Sequence, residues 1–329
     1  MATIADVAHY TGLSRATVSR VINDYPHVSQ DKRQLVHEAM KELGYFPNTS
    51  ARNLRNRRTN LVAVLIPRLT NPFFTLILEG IEKVAEENGF QLIICQTKSS
   101  KKKELEFLNL LQTKQVDGVI FTSIENEWEE IQPYTAHGPI ILCNEYHHNA
   151  TVPMVRLDQV QGSYLGTKHL IEQGYVRLAY CMGSTSGLSN DRRKGFFQAV
   201  DEAGLDVKPE WIFRDTYTME DGVKTFNEIL KLAERPTAIF TGGDEVAAAM
   251  VKEAKRNGLD VPGDIAILGF DDQPIARLIE PELTTIYQPG AEIGGRAMHI
   301  FIDCLKGTHE RTSESVIELP LSLIVRNST

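Results

Sequence analysis

Long apolar runs are missing from this 329-residue chain. None approaches the roughly 20 residues needed to span a bilayer, so no membrane helix is expected. Cysteine is scarce. Cys95, Cys143, Cys181 and Cys304 stand at wide, irregular spacings with no CxxC. That argues against a metal site or a disulfide framework and for buried thiols in a reducing cytoplasm. The first residues carry an acid, Asp6, and no basic-then-apolar stretch, so a secretory leader is not expected. Glycine-rich phosphate loops are absent too: no GxGxxG follows an apolar run, and no GxxxxGK is present. The stretch GSTSG (183–187) looks like a nucleophile elbow, but its centre is Thr185 and no His/Asp pair accompanies it. His147 and His148 are adjacent, which is poor geometry for one metal ion. These absences leave no catalytic constellation, and neither enzyme activity nor a cofactor or metal is expected.

Charge is present but unevenly spread. The net charge is −8, yet residues 1–60 hold nine Lys/Arg against five Asp/Glu, a balance of +4, while the rest carries −12. A small basic head on a large acidic body suggests a polyanionic partner for the head alone. The length itself calls for two or three domains.

The stretch TIADVAHYTGLSRATVSRVIN (3–23) holds two short helical patterns around one glycine. Thr3 can cap the first, with Asp6 as its capping-box partner. At about 100° per residue, Ile4, Val7, Ala8 and Thr11 share a face. Gly12 permits a left-handed turn and Ser14 can cap the second helix. On that helix Thr17, Val18, Val21 and Ile22 cluster on one side. Arg15, Ala16, Ser19, Arg20 and Asn23 cluster on the other, with no acid among them. A third helix, capped by Ser29, shows Leu35, Val36, Ala39, Met40 and Leu43 as an inner stripe and ends at Gly44. This is a helix-turn-helix unit whose exposed guanidinium groups suit the O6/N7 edge of guanine. A small bundle with a solvated Arg/Ser face satisfies the same spacing.

The run TVSRVIN, then VSQDKR, then LGYFPNTSARNL, resembles the head of the LacI/GalR family of bacterial transcription repressors. The motifs NPFF, VDGVI, NDRRKGF, GGDEVAAAM, ILGFDD and LTTIYQP extend the likeness through the chain in the family's order. The resemblance implies double-stranded operator DNA as partner. By position, Arg15, Ala16 and Arg20 would read bases, Ala16 only through its methyl group. Thr3, Thr17, Ser19, Asn23, His27 and Ser29 would mostly hold phosphates, and Tyr45, Asn48, Ala51, Leu54 and Arg55 would join the contacts. Residues 47–60, PNTSARNLRNRRTN, read by themselves as a flexible basic linker, since so short an isolated helix is marginal in water. The resemblance implies instead a hinge helix that orders on DNA, with Leu54 wedged into a minor-groove base step.

From Leu61 the pattern alternates. Strands are expected at 61–67, QLIICQ, VDGVIFT, 139–144, 177–181, 237–241 and 264–269, with helices near 74–88, 102–113, 191–203 and 244–257. This alternation predicts parallel sheets covered on both faces, in two lobes. The implied fold class is an all-α helix-turn-helix head (1–46) and a hinge helix (47–60), followed by an α/β effector-binding and dimerisation domain (61–329) like the two-lobed periplasmic sugar-binding proteins. Its N-lobe would comprise about 61–158 and 288–318, its C-lobe about 159–287 and 319–329. Groups where strands end are the ligand candidates: Asn71 with Phe73 and Phe74, Asn144 with Glu145, Asp244, and Asp271 with Asp272, each of which could equally be a helix cap. The resemblance supports Phe73, Phe74, Asp244 and Asp271 and adds Arg192 and Tyr217, the last stacking on a sugar ring. Many sugar-responsive relatives have Asn before the Asp244 position; here it is Gly243, which leaves an acidic or phosphorylated effector open. The chain ends at LIVRNST without leucine heptads, so the family's tetramer-forming tail is not expected and a homodimer is. The reducing compartment and the DNA partner that the resemblance implies make it cytoplasmic and nucleoid-associated. Two alternatives stand: a co-repressor protein docking on the N-lobe, as some relatives use, and a plain small-solute binding protein.

Overall fold

A computed structural model describes residues 2–46, 58–183, 187–308 and 316–329. Asn48, Ala51, Leu54 and Arg55, the hinge expectation and Thr185 of GSTSG lie outside the described residues. The chain divides into two compact units, Met1–Thr59 and Asn60–Thr329.

In the first unit, α1 (Ile4–Thr11) opens with a capping box between Thr3 and Asp6 and closes on Gly12 at φ +68°. That left-handed conformation would strain a residue with a Cβ. α2 (Arg15–Ile22) is capped by the Ser14 hydroxyl, which accepts the Thr17 N–H. α3 (Gln30–Glu42) starts at Ser29, whose side chain makes no capping bond. Val7, Ala8, Val18, Val21, Val36 and Ala39 form the core of this unit, with Tyr45 packed against it. Leu35, expected in the inner stripe, is exposed instead.

The second unit holds two six-stranded sheets. The first contains β1 (Leu61–Ile66), β2 (Gln91–Gln96), β3 (Gly118–Phe121), β4 (Ile140–Cys143) and β5 (Met154–Leu157). β1 is the near-continuous apolar run LVAVLI, which suits a central strand buried on both faces. The helices α4 (Pro72–Glu87), α5 (Lys101–Gln112) and α6 (Trp128–Ile131) connect these strands. α4 starts cleanly because Asn71 caps it and Pro72 takes its first turn. The second sheet contains β6 (Leu178–Cys181), β7 (Ile212–Phe213), β8 (Ala238–Thr241), β9 (Ala266–Asp271) and β10 (Thr284–Tyr287). Its helices are α7 (Gln159–Glu172), α8 (Gly187–Glu202), α9 (Met219–Ile229) and α10 (Asp244–Arg256). α11 (Gly290–Lys306) then returns to the first sheet, whose sixth strand is β11 (Val316–Leu319), and β12 (Ser322–Ile324) completes the second.

The orders are β11-β5-β4-β3-β1-β2 and β12-β10-β9-β8-β6-β7, both doubly wound. All pairings are parallel except β10 with β12. Each sheet carries a hydrophobic core on either face. The chain passes between the sheets three times: after Leu157, after Tyr287 and after Leu319. Cys95, Cys143 and Cys181 are buried free thiols. Among the described residues no helix is long and apolar enough to cross a membrane, and no His/Cys/Asp/Glu group could hold a metal ion.

Candidate functional site

Strand direction alone concentrates loops at the carboxyl ends of both sheets, and in open α/β sheets that is where ligands bind. A cavity of about 980 Å³ lies there. The first sheet lines it with residues following β1 (Arg68, Asn71), β3 (Glu125) and β4 (Asn144, Glu145). The second contributes those following β6 (Gly183), β7 (Tyr217) and β8 (Gly242, Gly243), with Asp271 at the end of β9, Gln273 after it and Arg192 from α8.

Asn71, Phe73, Phe74, Asn144, Arg192, Tyr217 and Asp271 are thus brought together. Phe73 belongs mostly to the core and meets Phe74 edge-on at 5.7 Å between ring centroids. Tyr217 is 47 % exposed as a residue, and its ring lies against Gly183, where a Cβ would meet it at 2.4 Å. Asn71 uses its side-chain oxygen as a cap for the Phe73 N–H (3.0 Å) and also accepts from Gln273 (3.3 Å).

Asp244 is the correction. It does not line the cavity; it is fully buried behind it. One carboxylate oxygen accepts the Gln273 N–H at 2.7 Å and the other the Thr285 hydroxyl at 2.7 Å. The carboxylate fits because position 269 is glycine: a Cβ there would come within 2.0 Å of Asp244 Oδ1. Asp244 therefore ties β8, β9 and β10 together rather than facing a ligand. Gly243 itself is extended and open, with Asp271 Oδ2 3.8 Å from where its Cβ would stand.

Arg192 and Asp271 form the charged centre. The Arg192 Nε–H donates to Gln159 at 2.7 Å and its Nη1–H to the Gly242 carbonyl at 3.1 Å. The guanidinium lies 3.7 Å over the Phe270 ring. Burial holds Arg192 below its ordinary value, partly offset by the Asp271 charge. Asp271 accepts from Gln273 (2.9 Å) and Gln288 (2.5 Å), and Gln288 in turn accepts from Gln159 (2.9 Å). Burial pushes the Asp271 carboxyl up to about 6, with Arg192 and the two glutamines pulling it back. The three glutamines were not singled out as site residues, since a lone Gln has no spacing signal; only the folded sheets bring 159, 273 and 288 to one place. Arg68 was missed for the same reason. It reaches across the cleft to the Tyr217 carbonyl (2.9 Å) and stands 3.6 Å from Glu245.

On the first unit, Arg15, Ala16 and Arg20 are exposed on α2, as is Asn23 at its C-cap, and Ser19 is half-buried. Thr3 is committed to its cap, its hydroxyl donating to Asp6 at 2.8 Å. Thr17 is half-buried and shares a hydrogen bond with Ser14 at 2.9 Å. His27 and Ser29 are exposed, and Tyr45 is half-buried.

A helix-turn-helix unit with an exposed arginine face, joined to a two-lobed α/β body with a polar cleft, defines the class of ligand-responsive DNA-binding regulators. The comparisons agree. Residues 3–48 match the family described as "Bacterial regulatory proteins, lacI family", and residues 59–327 match "Periplasmic binding proteins and sugar binding domain of LacI family". The chain is 40 % identical to the NTD biosynthesis operon regulator NtdR of Bacillus subtilis (strain 168), over the full length of both. The lac repressor dimer bound to operator and the anti-inducer ONPF superposes with a TM-score of 0.87 at 25 % identity, covering 99 % of this chain and 98 % of that one. A LacI-family regulator from Lactobacillus casei with bound glucose has a TM-score of 0.75 at 30 % identity, covering 82 % of this chain and 99 % of that one. The chain belongs to the LacI family of bacterial transcriptional regulators, and it is a regulator rather than an enzyme.

Proposed function

We propose that the protein is a dimeric repressor of carbohydrate-use genes, bound to a pseudo-palindromic operator and controlled by a small sugar-like effector in the cleft. One observation carries the reading: a single chain pairs an acid-free arginine face on α2 with a cleft built like a ligand site. In the working division, residues 1–46 are the head, 47–60 the hinge and 61–329 the effector-binding body. Arg15, Arg20 and Ala16 would touch base edges, while Ser19, Asn23, His27 and Ser29 would position the phosphates. The half-exposed Tyr217 ring offers an apolar face to a sugar, and Asp271 and Arg192 offer charge-assisted hydrogen bonds to its hydroxyls. Effector and operator would be coupled by about 1–3 kcal/mol, roughly 5–150-fold in affinity.

The test is fluorescence anisotropy of the full chain on a palindromic duplex and a scrambled one, with and without a sugar library. Binding to the palindrome should fall steeply with salt, with a log–log slope of about −0.9 per phosphate neutralised. Arg20→Ala should remove about 1–3 kcal/mol of discrimination. Equal affinity of the parent for both duplexes, or no response to any small molecule, would overturn the reading.

A further inference from the structure

We propose, resting on the sugar-effector reading above, that the natural effector carries a basic amino group. The geometry points to the wall formed by Asn144, Glu145 and Glu125 as its seat.

Asn144 and Glu145 follow β4 and are both buried, at 2 % and 4 % exposure, yet both line the cavity. The backbone of Asn144 is left-handed, at φ +70°. Its side-chain oxygen has no hydrogen-bond partner. Across the cavity the side-chain oxygen of Gln273, 1 % exposed, is also without one. Both orphan atoms are acceptors, and an ionised Glu145 can only accept. A buried acceptor left without a donor costs about 1–3 kcal/mol, so this wall asks for a ligand rich in N–H or O–H groups.

Charge narrows the choice. Glu145 has Glu125, Glu104 and Asp191 as like-charged neighbours and Arg192 as its opposite. Two of the acids are already satisfied. Glu104 accepts from the Glu125 N–H, the Asn126 N–H and the Asn126 side chain. Asp191 accepts the Tyr146 hydroxyl at 2.5 Å. Arg192 is shared among Gln159, the Gly242 carbonyl and the Asp271 charge. Of the other lining cations, Arg68 serves Tyr217 and Glu245, Lys101 stands 3.9 Å from Glu127 and also acts on Glu125, and Lys98 is exposed, which leaves Glu145 with the shared Arg192 alone. His147 stands 3.7 Å from Glu127, and His148 lies edge-on to Tyr146. Burial pushes both Glu145 and Glu125 above the usual carboxylate range, and at Glu125 a Ser99 hydrogen bond and the Lys101 charge offset part of it. A ligand cation beside Glu145 would favour its ionised form and add compensation that the shared Arg192 supplies only in part. A phosphate at the same wall would instead meet carboxylates.

The experiment uses the full chain at pH 7, with thermal shift followed by calorimetric titration. The probes are matched sets: glucose, glucosamine and glucose 6-phosphate; galactose, galactosamine and galactose 6-phosphate; and cellobiose against the glucosamine disaccharide. At least one amino member should bind about 10-fold or more tightly than its hydroxyl twin, and the phosphates should not bind. Glu145→Gln should remove that preference by about 10–100-fold while leaving the unliganded melting temperature at or above the parent's. Glu125→Gln should weaken it in the same sense, which guards against misfolding of the first variant. Equal binding of hydroxyl and amino twins would overturn the amine assignment and leave the sugar reading standing. A preference for phosphates, or an amino preference that survives both substitutions, would also overturn it. If no probe binds, both readings fall together.

Discussion

Asp271 shows how a single residue can record what the fold demands. It occupies a positive φ of +101°, ends β9 and carries a carboxyl pushed by burial from 3.8 to about 6. Because the folded value lies above the unfolded one, its contribution to stability is fully present below about pH 4 and is lost as the pH rises through about 6. The full swing is about 3 kcal/mol at 1.36 kcal/mol per unit. Asp271→Asn should therefore flatten the fall of the melting temperature between about pH 4 and pH 6; superimposable profiles for parent and variant would refute the role given to burial. Asp244 and Glu145 are shifted upward as well, so a residual slope of the same sign is expected in the variant. At this scale the sequence pointed to Asp271 and Asp244 equally, as acids following strands. The sequence had no means of telling them apart, because what separates them is the space above Gly269 that draws Asp244 inward.

Among the elements, those specified by neighbours along the chain were legible. The Thr3–Asp6 box, Gly12 and the Ser14 cap lie within a few residues of the helices they bound, and they stand in the structure as the sequence suggests. The apolar runs of β1, β3, β4, β8 and β9 were equally plain. β10 was not read as a strand because it is TTIY, and two buried threonines look polar until Asp244, Arg326 and Thr329 are seen to satisfy their hydroxyls. α7 was missed for the same reason: Gln159, Ser163, Thr167 and His169 are all buried polar residues on it. α4 and α11 meet through glycines, another feature with no local signal. A Cβ on Gly80 would fall 1.9 Å from the Ala291 carbonyl oxygen, and one on Gly294 2.1 Å from that of Ile77. Gly294→Ala should thus lower stability by about 1–3 kcal/mol in denaturant titration, since backbone must move to admit the methyl group. An unchanged midpoint would show that the two helices separate freely.

For the whole second unit, the cleft is bridged by Arg68 to the Tyr217 carbonyl and by Gln273 to Asn71. These contacts join loops of the two sheets and hold the lobes together over the cavity. Arg68→Ala should weaken effector binding roughly tenfold, the equivalent of one charged hydrogen bond, with little loss of melting temperature, because the cores of the two sheets are separate. Calorimetric titration reads the first effect and thermal unfolding the second; an unaltered affinity would mean the bridge plays no part in effector binding.

The sequence by itself determined the helix-turn-helix, the alternation of strands and helices and the family, because capping, left-handed glycines and hydrophobic period are short-range properties of the chain. Only the tertiary structure decided which polar residues face the cleft. Arg192, Asp271 and the glutamines at 159, 273 and 288 meet through bonds spanning up to 129 positions. Their burial and charge balance arise when two sheets turn their carboxyl ends toward one space.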